Sequence, residues 1–337
     1  MSLGQLNNMD TTNRTLSALA RMVPTAVRVA LRTIAGRQWA FSFNVSDRCP
    51  VGCDCYWRAQ QRVREMNDDA VIQFFRDRRD EGYIFAALIG GEPYVRPDLL
   101  QEITAILPIN WLITSATTPL RQFANTVHIV SIDGGTAEVH DRVRNMRGLY
   151  DRIKNHLQTA RSKWPQSFPA FSHSTLNAIN YRDTEQILHC WSRNKLLDGV
   201  VFSIATPVGK NDHPHLRLSL RQREEIVEDL VRLKRHFGTF LCMSEEMIGL
   251  LHPDVTKNHT PAKCKMSTRL SSFDAEGNRI GQCVLSAQAN CSLCGCVIDT
   301  FLQTIERPIP NPKTVFHLMR LTAISNDHQV PVKSKLA

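Results

Sequence analysis

The 337-residue sequence lacks several features that would assign it to common classes of protein. It contains no run of 18 or more apolar residues, so no membrane-spanning helix is expected. Its first 16 residues, MSLGQLNNMDTTNRTL, lack the apolar core of a secretory signal. No long polar or low-complexity tract occurs, and 42% of the residues are hydrophobic, which excludes disorder as the main state. These absences favour a folded cytoplasmic protein, in a compartment where thiols stay reduced.

Three functional classes also find no support in the sequence. There is no G-x-S-x-G nucleophile elbow, so a serine hydrolase is not indicated. Ten cysteines in 337 residues are too sparse for a small disulfide-bonded scaffold. The net charge is +9, but no dense basic stripe with interleaved aromatic residues accompanies it, and no nucleic-acid partner is expected.

The cysteines that are present fall into two groups separated by about 200 residues. The first group is Cys49, Cys53 and Cys55. The second group is Cys264, Cys283, Cys291, Cys294 and Cys296. Cys190 and Cys242 stand alone and are expected to be buried as small apolar residues. Tight groups of this kind indicate metal ligation.

From residue 38 to about 205, strand-like and helix-like segments alternate. The six strand-like segments are 40–45, 83–89, 111–114, 126–132, 171–176 and 200–205. Such alternation predicts parallel βαβ units, in a doubly wound sheet or in a complete or partial barrel. Ligands of such sheets bind beyond the carboxyl ends of the strands, and the first cysteine group directly follows the first strand.

The pattern divides the chain into five parts. These are a basic amphipathic helical segment at 1–37, a barrel at 38–210, a helical connection at 211–259, a cysteine-rich module at 260–300 and a tail at 301–337. Within the connection, 221–237 is a clear amphipathic helix. The histidines of the H-P-H sequence, His213 and His215, have no partner pattern around them, so a loop is expected there.

The first part contains a basic amphipathic helix at 25–36. Val27, Leu31 and Ile34 share one face, and Arg28 and Arg32 lie one turn apart on another. Two interpretations remain open. The helix caps the domain with its arginines in water, or residues 25–37 lie on an anionic membrane surface.

Two motifs near the first cysteines indicate the chemistry. In FNVSDRCPVGCDCYW, three thiolates leave the fourth metal position without a cysteine, which suits a [4Fe–4S] cluster with one open iron better than a closed zinc site. The second strand ends in Gly90-Gly91-Glu92-Pro93, where glycines allow close approach of a ligand and Glu92 offers an acceptor for an ammonium group. The fourth strand ends in Ser131-Ile132-Asp133-Gly134.

Together these motifs resemble the radical S-adenosylmethionine (SAM) enzymes over about residues 38–210. The resemblance implies a partial (β/α)6 TIM-like barrel, in which Cys49, Cys53 and Cys55 hold a catalytic [4Fe–4S] cluster. It further implies that Gly90, Gly91, Glu92 and Pro93 contact the amino group of SAM. Ser131 and Asp133 would lie near its methionyl or ribose part. The spacing here is C-x3-C-x-C rather than the family's usual C-x3-C-x2-C, and Asp54 takes the intervening position.

The second cysteine group is similar to the C-terminal auxiliary-cluster module of that family, in its twitch or truncated SPASM form. The similarity implies that Cys264, Cys283, Cys291 and Cys294 hold a second [4Fe–4S] cluster, with Cys296 as a fifth candidate. A hairpin turn at Phe273–Asp274 is expected between the first two of these cysteines. A zinc ribbon is the competing interpretation.

The resemblance implies reductive cleavage of SAM to a 5′-deoxyadenosyl radical that modifies an unreactive carbon of a substrate. A peptide, protein or natural product is one substrate class, and a lipid or isoprenoid of the adenosyl-hopene type is the alternative. A zinc-ribbon binding protein without catalysis is a second alternative. An electron donor such as flavodoxin or ferredoxin is the expected redox partner.

Overall fold

The structure is a computed structural model, and its architecture is a parallel sheet curved around an internal cavity. It describes residues 24–54, 64–165, 167–209, 213–281, 283–285 and 288–322. Cys55, one of the predicted cluster ligands, lies outside the described residues.

Seven strands form one sheet, and every neighbouring pair in it is parallel. The strands are β1 (Ala40–Ser46), β2 (Phe85–Gly90), β3 (Ile109–Thr114), β4 (Thr126–Ser131), β5 (Ala170–Leu176), β6 (Gly199–Ile204) and β7 (Leu270–Phe273). Their order is β6-β5-β4-β3-β2-β1-β7. The six predicted strands are present in sequential order, as in a partial (β/α)6 barrel. The seventh strand comes from the cysteine-rich module and extends the sheet beside β1.

Helices connect and cover these strands. In chain order they are α1 (24–34), α2 (Asp68–Asp80), α3 (Pro97–Ile103), α4 (Ala137–Arg144), α5 (Leu149–Lys163), α6 (Thr184–Asn194), α7 (Leu220–Phe237), α8 (Glu245–Gly249), α9 (Pro253–Thr256), α10 (Lys265–Arg269), α11 (Val297–Ile305) and α12 (Pro312–Thr322). The sequence pattern predicts α7 to within one residue, as the amphipathic helix at 221–237. It does not indicate α4, α11 or α12.

The strands are apolar because both of their faces are covered. Every residue of β1, β4 and β6 is buried, as expected for strands between a helical layer and a filled interior. On the outer side, Phe41 packs edge-to-face against Phe75 and Tyr83, with ring centroids 5.1 and 5.5 Å apart. The Phe41–Phe75 contact packs α2 against β1.

The last two helices close the open side of the barrel. Phe301 of α11 and Leu321 of α12 are buried and line the central cavity. Trp111 Nε1 in β3 donates to the Leu321 carbonyl at 2.7 Å. The side-chain hydroxyls of Thr314 and Ser244 form a hydrogen bond of 2.7 Å. The segment expected to be a tail at 301–337 therefore includes, in its described part, a helix that completes the interior.

Helix α1 lies against the barrel with Arg32 toward the protein and its apolar face toward water. Its arginine Arg32 faces the protein, where Nε donates to the Gln38 carbonyl at 2.9 Å and the guanidinium lies 5.8 Å from the Tyr83 ring centroid. Val27, Leu31 and Ile34 are 50%, 62% and 83% exposed. The expectation that this helix covers the domain with both arginines in water is wrong for Arg32. In the part of the chain that the structure describes, no helix is both long and apolar enough to cross a membrane.

Several histidines are buried in the fold. His128 on β4 stacks on Phe168 with ring centroids 4.2 Å apart, and its Nε2 is within 3.0 Å of the Tyr94 hydroxyl. Burial lowers the pKa of His128 to about 3 and that of His317 to about 3. His140 and His173 are lowered to about 4 for the same reason. All four are neutral in the folded protein near pH 7.

We predict that the folded state loses stability as the pH falls from about 6.5 to about 4. In this window the unfolded chain protonates these histidines and the folded chain does not, so acid favours unfolding. His128→Phe, which keeps the stacked shape, should flatten the pH dependence of the free energy of unfolding by up to about 1.4 kcal/mol per pH unit. Denaturant unfolding at pH 7 and pH 5.5 measures it. The exposed His236→Phe should leave the slope unchanged, and equal slopes for both variants would contradict the prediction.

Candidate active site

A cavity of about 390 Å³ opens at the carboxyl end of the sheet. Its inner wall is apolar and includes Phe85, Trp111, Ile129 and Val201, which point inward from four strands. Its rim is polar and includes the two described cysteines of the first group. An apolar chamber with a few convergent polar groups is the usual form of a ligand site in this type of sheet.

The two glycines after β2 hold the cysteine loop in place. Gly91 N donates to the Ser46 carbonyl at 2.8 Å, and Glu92 N donates to the Arg48 carbonyl at 2.9 Å. A Cβ on Gly91 would lie 2.3 Å from the Arg48 oxygen. Gly90 has a φ of 116°, and its Cβ would lie 2.6 Å from the Ser46 oxygen. The absence of a Cβ at these glycines therefore allows the cysteine loop to approach closely. Both glycines also line the cavity.

Cys49 and Cys53 lie together at the rim of the cavity. Cys49 is half-buried and Cys53 is 8% exposed. Desolvation raises the pKa of Cys49 to about 11, with smaller increases from Cys53 and Glu92 and a decrease from Arg144. The Cys49 thiol is therefore protonated at neutral pH unless a cation binds it, since a coordinated thiol loses its proton. The pair fits the ligand set of an iron–sulfur cluster, to which Cys55 would add the third thiolate.

The Glu92 carboxylate faces the protein rather than the cavity. Oε1 accepts from Thr114 Oγ1 at 2.7 Å and from Tyr94 N at 3.1 Å. Oε2 accepts from Ser115 N at 2.8 Å and from Ser115 Oγ. Neither Glu92 nor the buried Pro93 lines the cavity. The predicted motif thus joins the ends of β2 and β3, and an ammonium group at the rim would meet its backbone rather than the Glu92 side chain.

The predicted pair at the end of β4 also lies at the cavity. Ser131 and Asp133 are both buried and both line the cavity. Asp133 Oδ2 pairs with Arg144 Nε at 2.6 Å, and Oδ1 accepts from Thr175 N at 2.7 Å. The carboxylate therefore positions Arg144, a cavity residue that the sequence pattern does not single out.

His173 is a second residue that the pattern does not identify. It lies on β5 and lines the cavity, with Nε2 2.8 Å from Ser203 Oγ on β6. Its lowered pKa of about 4 keeps the imidazole neutral. The alternation of inward positions along β5, together with Thr175, is the signal that would have placed it at the site.

Known proteins share this fold, and one of them shares part of this sequence. No family model matches the chain. An AdoMet-dependent heme synthase of Methanosarcina barkeri is 27% identical over 160 residues, or 44% of each chain. The chain thus matches less than half the length of that curated relative. Streptococcus suis SuiB bound to precursor peptide SuiA is 11% identical with a TM-score of 0.58, covering 94% of this chain and 70% of SuiB. A structure of anSMEcpe with bound AdoMet is 13% identical with a TM-score of 0.58, covering 78% and 80%.

The chain therefore shares the fold of SuiB and anSMEcpe, and part of its sequence is similar to an AdoMet-dependent heme synthase. The resemblance indicated by the cysteine and glycine motifs is thereby confirmed. So is the predicted partial barrel. In this fold the cysteine loop follows the first strand and the glycine pair lies at the end of the second, at one edge of the sheet.

The second cysteine group lies close to the same cavity, which it reaches through Cys296. The five thiols lie close enough together to raise one another's pKa. Cys294 and Cys264 raise the pKa of Cys296, and Cys291 and Cys283 raise that of Cys294. Desolvation is the largest cause of the raised pKa of every one of them. Cys296 also lines the central cavity. The group is thus a compact, poorly solvated set of thiols.

An acidic residue missed by sequence analysis lies among these thiols. Asp299 is 3% exposed and contributes to the raised pKa of all five cysteines. Its carboxylate accepts from Lys265 N at 2.7 Å and lies 3.4 Å from His259 Nε2. Ligand atoms of His259, Cys264 and Asp299 lie within 4.8 Å of one another. The spacing Cys296-x2-Asp299 at the start of a helix is the signal that could have indicated it.

Gly295 connects the second group to the barrel. Its carbonyl accepts from Ile204 N at 2.9 Å, and its N–H donates to Thr206 Oγ1 at 2.9 Å. A Cβ on this glycine would lie 1.9 Å from the Ile204 oxygen. The predicted turn at Asp274 is present, with Gly277 N donating to Asp274 O at 3.0 Å. The strand before it, however, is β7 of the main sheet.

We predict that Gly91→Ala displaces the cysteine loop. The added methyl group overlaps the Arg48 carbonyl, and overpacking of this kind costs about 1–3 kcal/mol. After anaerobic iron and sulfide loading, the variant should hold less iron than the wild type, since the first cysteine group loses its ligand geometry. Circular dichroism should remain that of the wild type. Gly249→Ala, whose Cβ would have no neighbour within 4 Å, is the matched control. Full iron loading of Gly91→Ala would disprove this role.

Proposed function

We propose that the protein is a radical SAM enzyme that modifies an unreactive carbon of its substrate. The observation that carries the proposal is the placement of Cys49 and Cys53 with Gly90 and Gly91 at one rim of a cavity with an apolar inner wall. Such a chamber keeps water away from reactive species. A reducing, cytoplasmic environment suits both groups of free thiols.

Cys49, Cys53 and Cys55 would hold the catalytic [4Fe–4S] cluster, and the rim beside Gly90 and Gly91 would hold SAM. When bound, the cluster and SAM supply a 5′-deoxyadenosyl radical by reductive cleavage, with the electron taken from a donor such as flavodoxin or ferredoxin. The chain's own contribution is orientation. The glycine pair fixes the loop, and Glu92 fixes the strand ends behind it.

Other rim residues would orient the bound molecules. Arg144, held by Asp133, offers a cation to a carboxylate. Ser131 and the neutral His173 offer hydrogen bonds without adding charge. Below them, Trp111, Val201 and other apolar side chains exclude water from the reacting carbon.

We assign the second cysteine group to an auxiliary [4Fe–4S] cluster. Compact thiols with a raised pKa, next to a buried carboxylate, require a strongly bound cation to become thiolates. Four of the five cysteines suffice as ligands. Cys296 lines the cavity, so this cluster would lie beside the substrate.

A peptide or protein substrate is supported by SuiB, whose structure holds a precursor peptide and shares this fold over most of the chain. A lipid or isoprenoid substrate is the second candidate. It is favoured by the apolar inner wall of the cavity and by the exposed apolar face of α1. An apolar chamber accepts a hydrocarbon chain or an apolar peptide side chain equally well, so the cavity does not distinguish the two substrate classes. Binding of the protein to membranes does distinguish them.

We predict that the reconstituted protein carries about eight iron atoms per chain, absorbs broadly near 400 nm and releases 5′-deoxyadenosine from SAM on reduction. Cys49→Ala and Cys53→Ala should reduce this release to the level of the protein-free reaction, because the catalytic cluster loses a ligand. Chromatography of 5′-deoxyadenosine and iron analysis are the measurements.

Cys190→Ala, which removes a half-buried thiol in α6, is the matched control and should keep full activity. Stoichiometric zinc in place of iron, with no cleavage of SAM, would overturn the proposal and favour a zinc-ribbon binding protein.

For the lipid alternative, we predict that the apolar face of α1 binds anionic vesicles. Replacing both Leu31 and Ile34 by Glu should weaken binding at least tenfold, since burial of one such side chain contributes about 1.5–3 kcal/mol. Vesicle co-sedimentation measures it. Ile309→Glu changes an equally exposed apolar residue elsewhere and should have no effect. Indifference of the wild type to vesicles would exclude membrane contact through residues 25–37.

A further inference from the structure

Three potential metal ligands meet at the mouth of the cavity, outside the two cysteine groups. They are Asp54 in the cysteine loop and the two histidines of the H-P-H sequence, His213 and His215. His215 Nε2 lies 3.2 Å from Asp54 Oδ2, and the two imidazole centroids are 5.7 Å apart. One ligand atom from each of the three lies within 4.8 Å of the other two.

The backbone that carries the two histidines is anchored. Pro214 starts a 3-10 turn in which Leu216 N donates to the His213 carbonyl at 2.9 Å. The turn is tied to the loop after β5 by Ala178 N, which donates to the Leu216 carbonyl at 3.1 Å. On the other side, Asp54 follows the buried Cys53. The side chains therefore need only small rotations to converge.

We infer that Asp54, His213 and His215 bind a first-row divalent cation such as Zn²⁺. Two imidazoles and one carboxylate form a ligand set that such ions favour. Ligands about 2.1 Å from a tetrahedral ion lie about 3.4 Å apart. The Asp54–His215 pair already matches this spacing, and His213 closes the set.

The location assigns a ligand class to the site. Asp54 and His213 both line the cavity, and so does Arg217 beside them. Three protein ligands leave a coordination position open, as in catalytic zinc sites. This position would accept an anionic oxygen, from a carboxylate or phosphate group of a molecule entering the cavity. The inference uses no step of the proposed radical reaction.

The test is a Zn²⁺ titration of the cluster-loaded protein under anaerobic conditions, with a chromogenic zinc chelator as competitor. Iron and sulfide are quantified before and after, so that zinc displacing cluster iron is recognised. We expect about one additional zinc ion per chain with unchanged iron. His213→Ala combined with His215→Ala should raise the Kd at least a hundredfold, because even outer-shell partners contribute about ten- to hundredfold. Asp54→Asn should raise it at least about tenfold.

His189→Ala combined with His236→Ala is the matched control, since it removes another close histidine pair, with ring centroids 6.2 Å apart. This control should bind zinc like the wild type. Equal zinc affinity of the wild type and the His213/His215 variant would overturn the inference, as would zinc uptake only with loss of iron. Because the readout is zinc affinity, failure here leaves SAM cleavage untouched, and failure of SAM cleavage leaves this site standing.

Discussion

The contact between Gly91 and the carbonyl of Arg48 sets the geometry of the site. Beside it, two backbone hydrogen bonds join the end of β2 to Ser46 at the end of β1 and to Arg48 in the loop that follows, at 2.8 and 2.9 Å. The Glu92 carboxylate extends this link to β3 through Thr114 and Ser115. A buried carboxylate is costly unless its lone pairs are filled, and here each oxygen accepts two protein hydrogen bonds. The cysteine loop is thereby joined to the rigid part of the sheet.

The two cysteine groups share a cavity but differ in electrostatics. At the first, Arg144 lowers the pKa of Cys49 and so offsets part of the effect of burial. At the second, Asp299 adds negative charge to thiols that are already desolvated. A cation bound at the second group would relieve both penalties at once, so metal affinity there would add directly to the stability of the fold. The module joins the main sheet through β7, so that gain would extend to the barrel.

Much of the barrel was predictable because its strands are buried on both faces and its covering helices are amphipathic. The runs at 83–89 and 126–132 give β2 and β4, and 221–237 gives α7. The role of Glu92 was not predictable, because its partners Thr114 and Ser115 belong to another strand. Asp299 and His259 were missed for the same reason, since their proximity to Cys264 arises only in the fold. The local sequence pattern predicts individual strands and helices, whereas these contacts depend on which strands and helices become neighbours in the fold.

Helix α1 illustrates the limit of periodicity most clearly. A stripe of Val27, Leu31 and Ile34 opposite arginines predicts an amphipathic helix but not which side faces the barrel. Packing with Arg32 inward gives the guanidinium the Gln38 carbonyl and the Tyr83 ring. It also leaves Leu31 and Ile34 in water, which forgoes about 1.5–3 kcal/mol for each side chain that burial would have gained. A helix that exposes its apolar face is stabilised further by any apolar surface that covers this face. This gain is the physical reason to expect that such a surface binds α1.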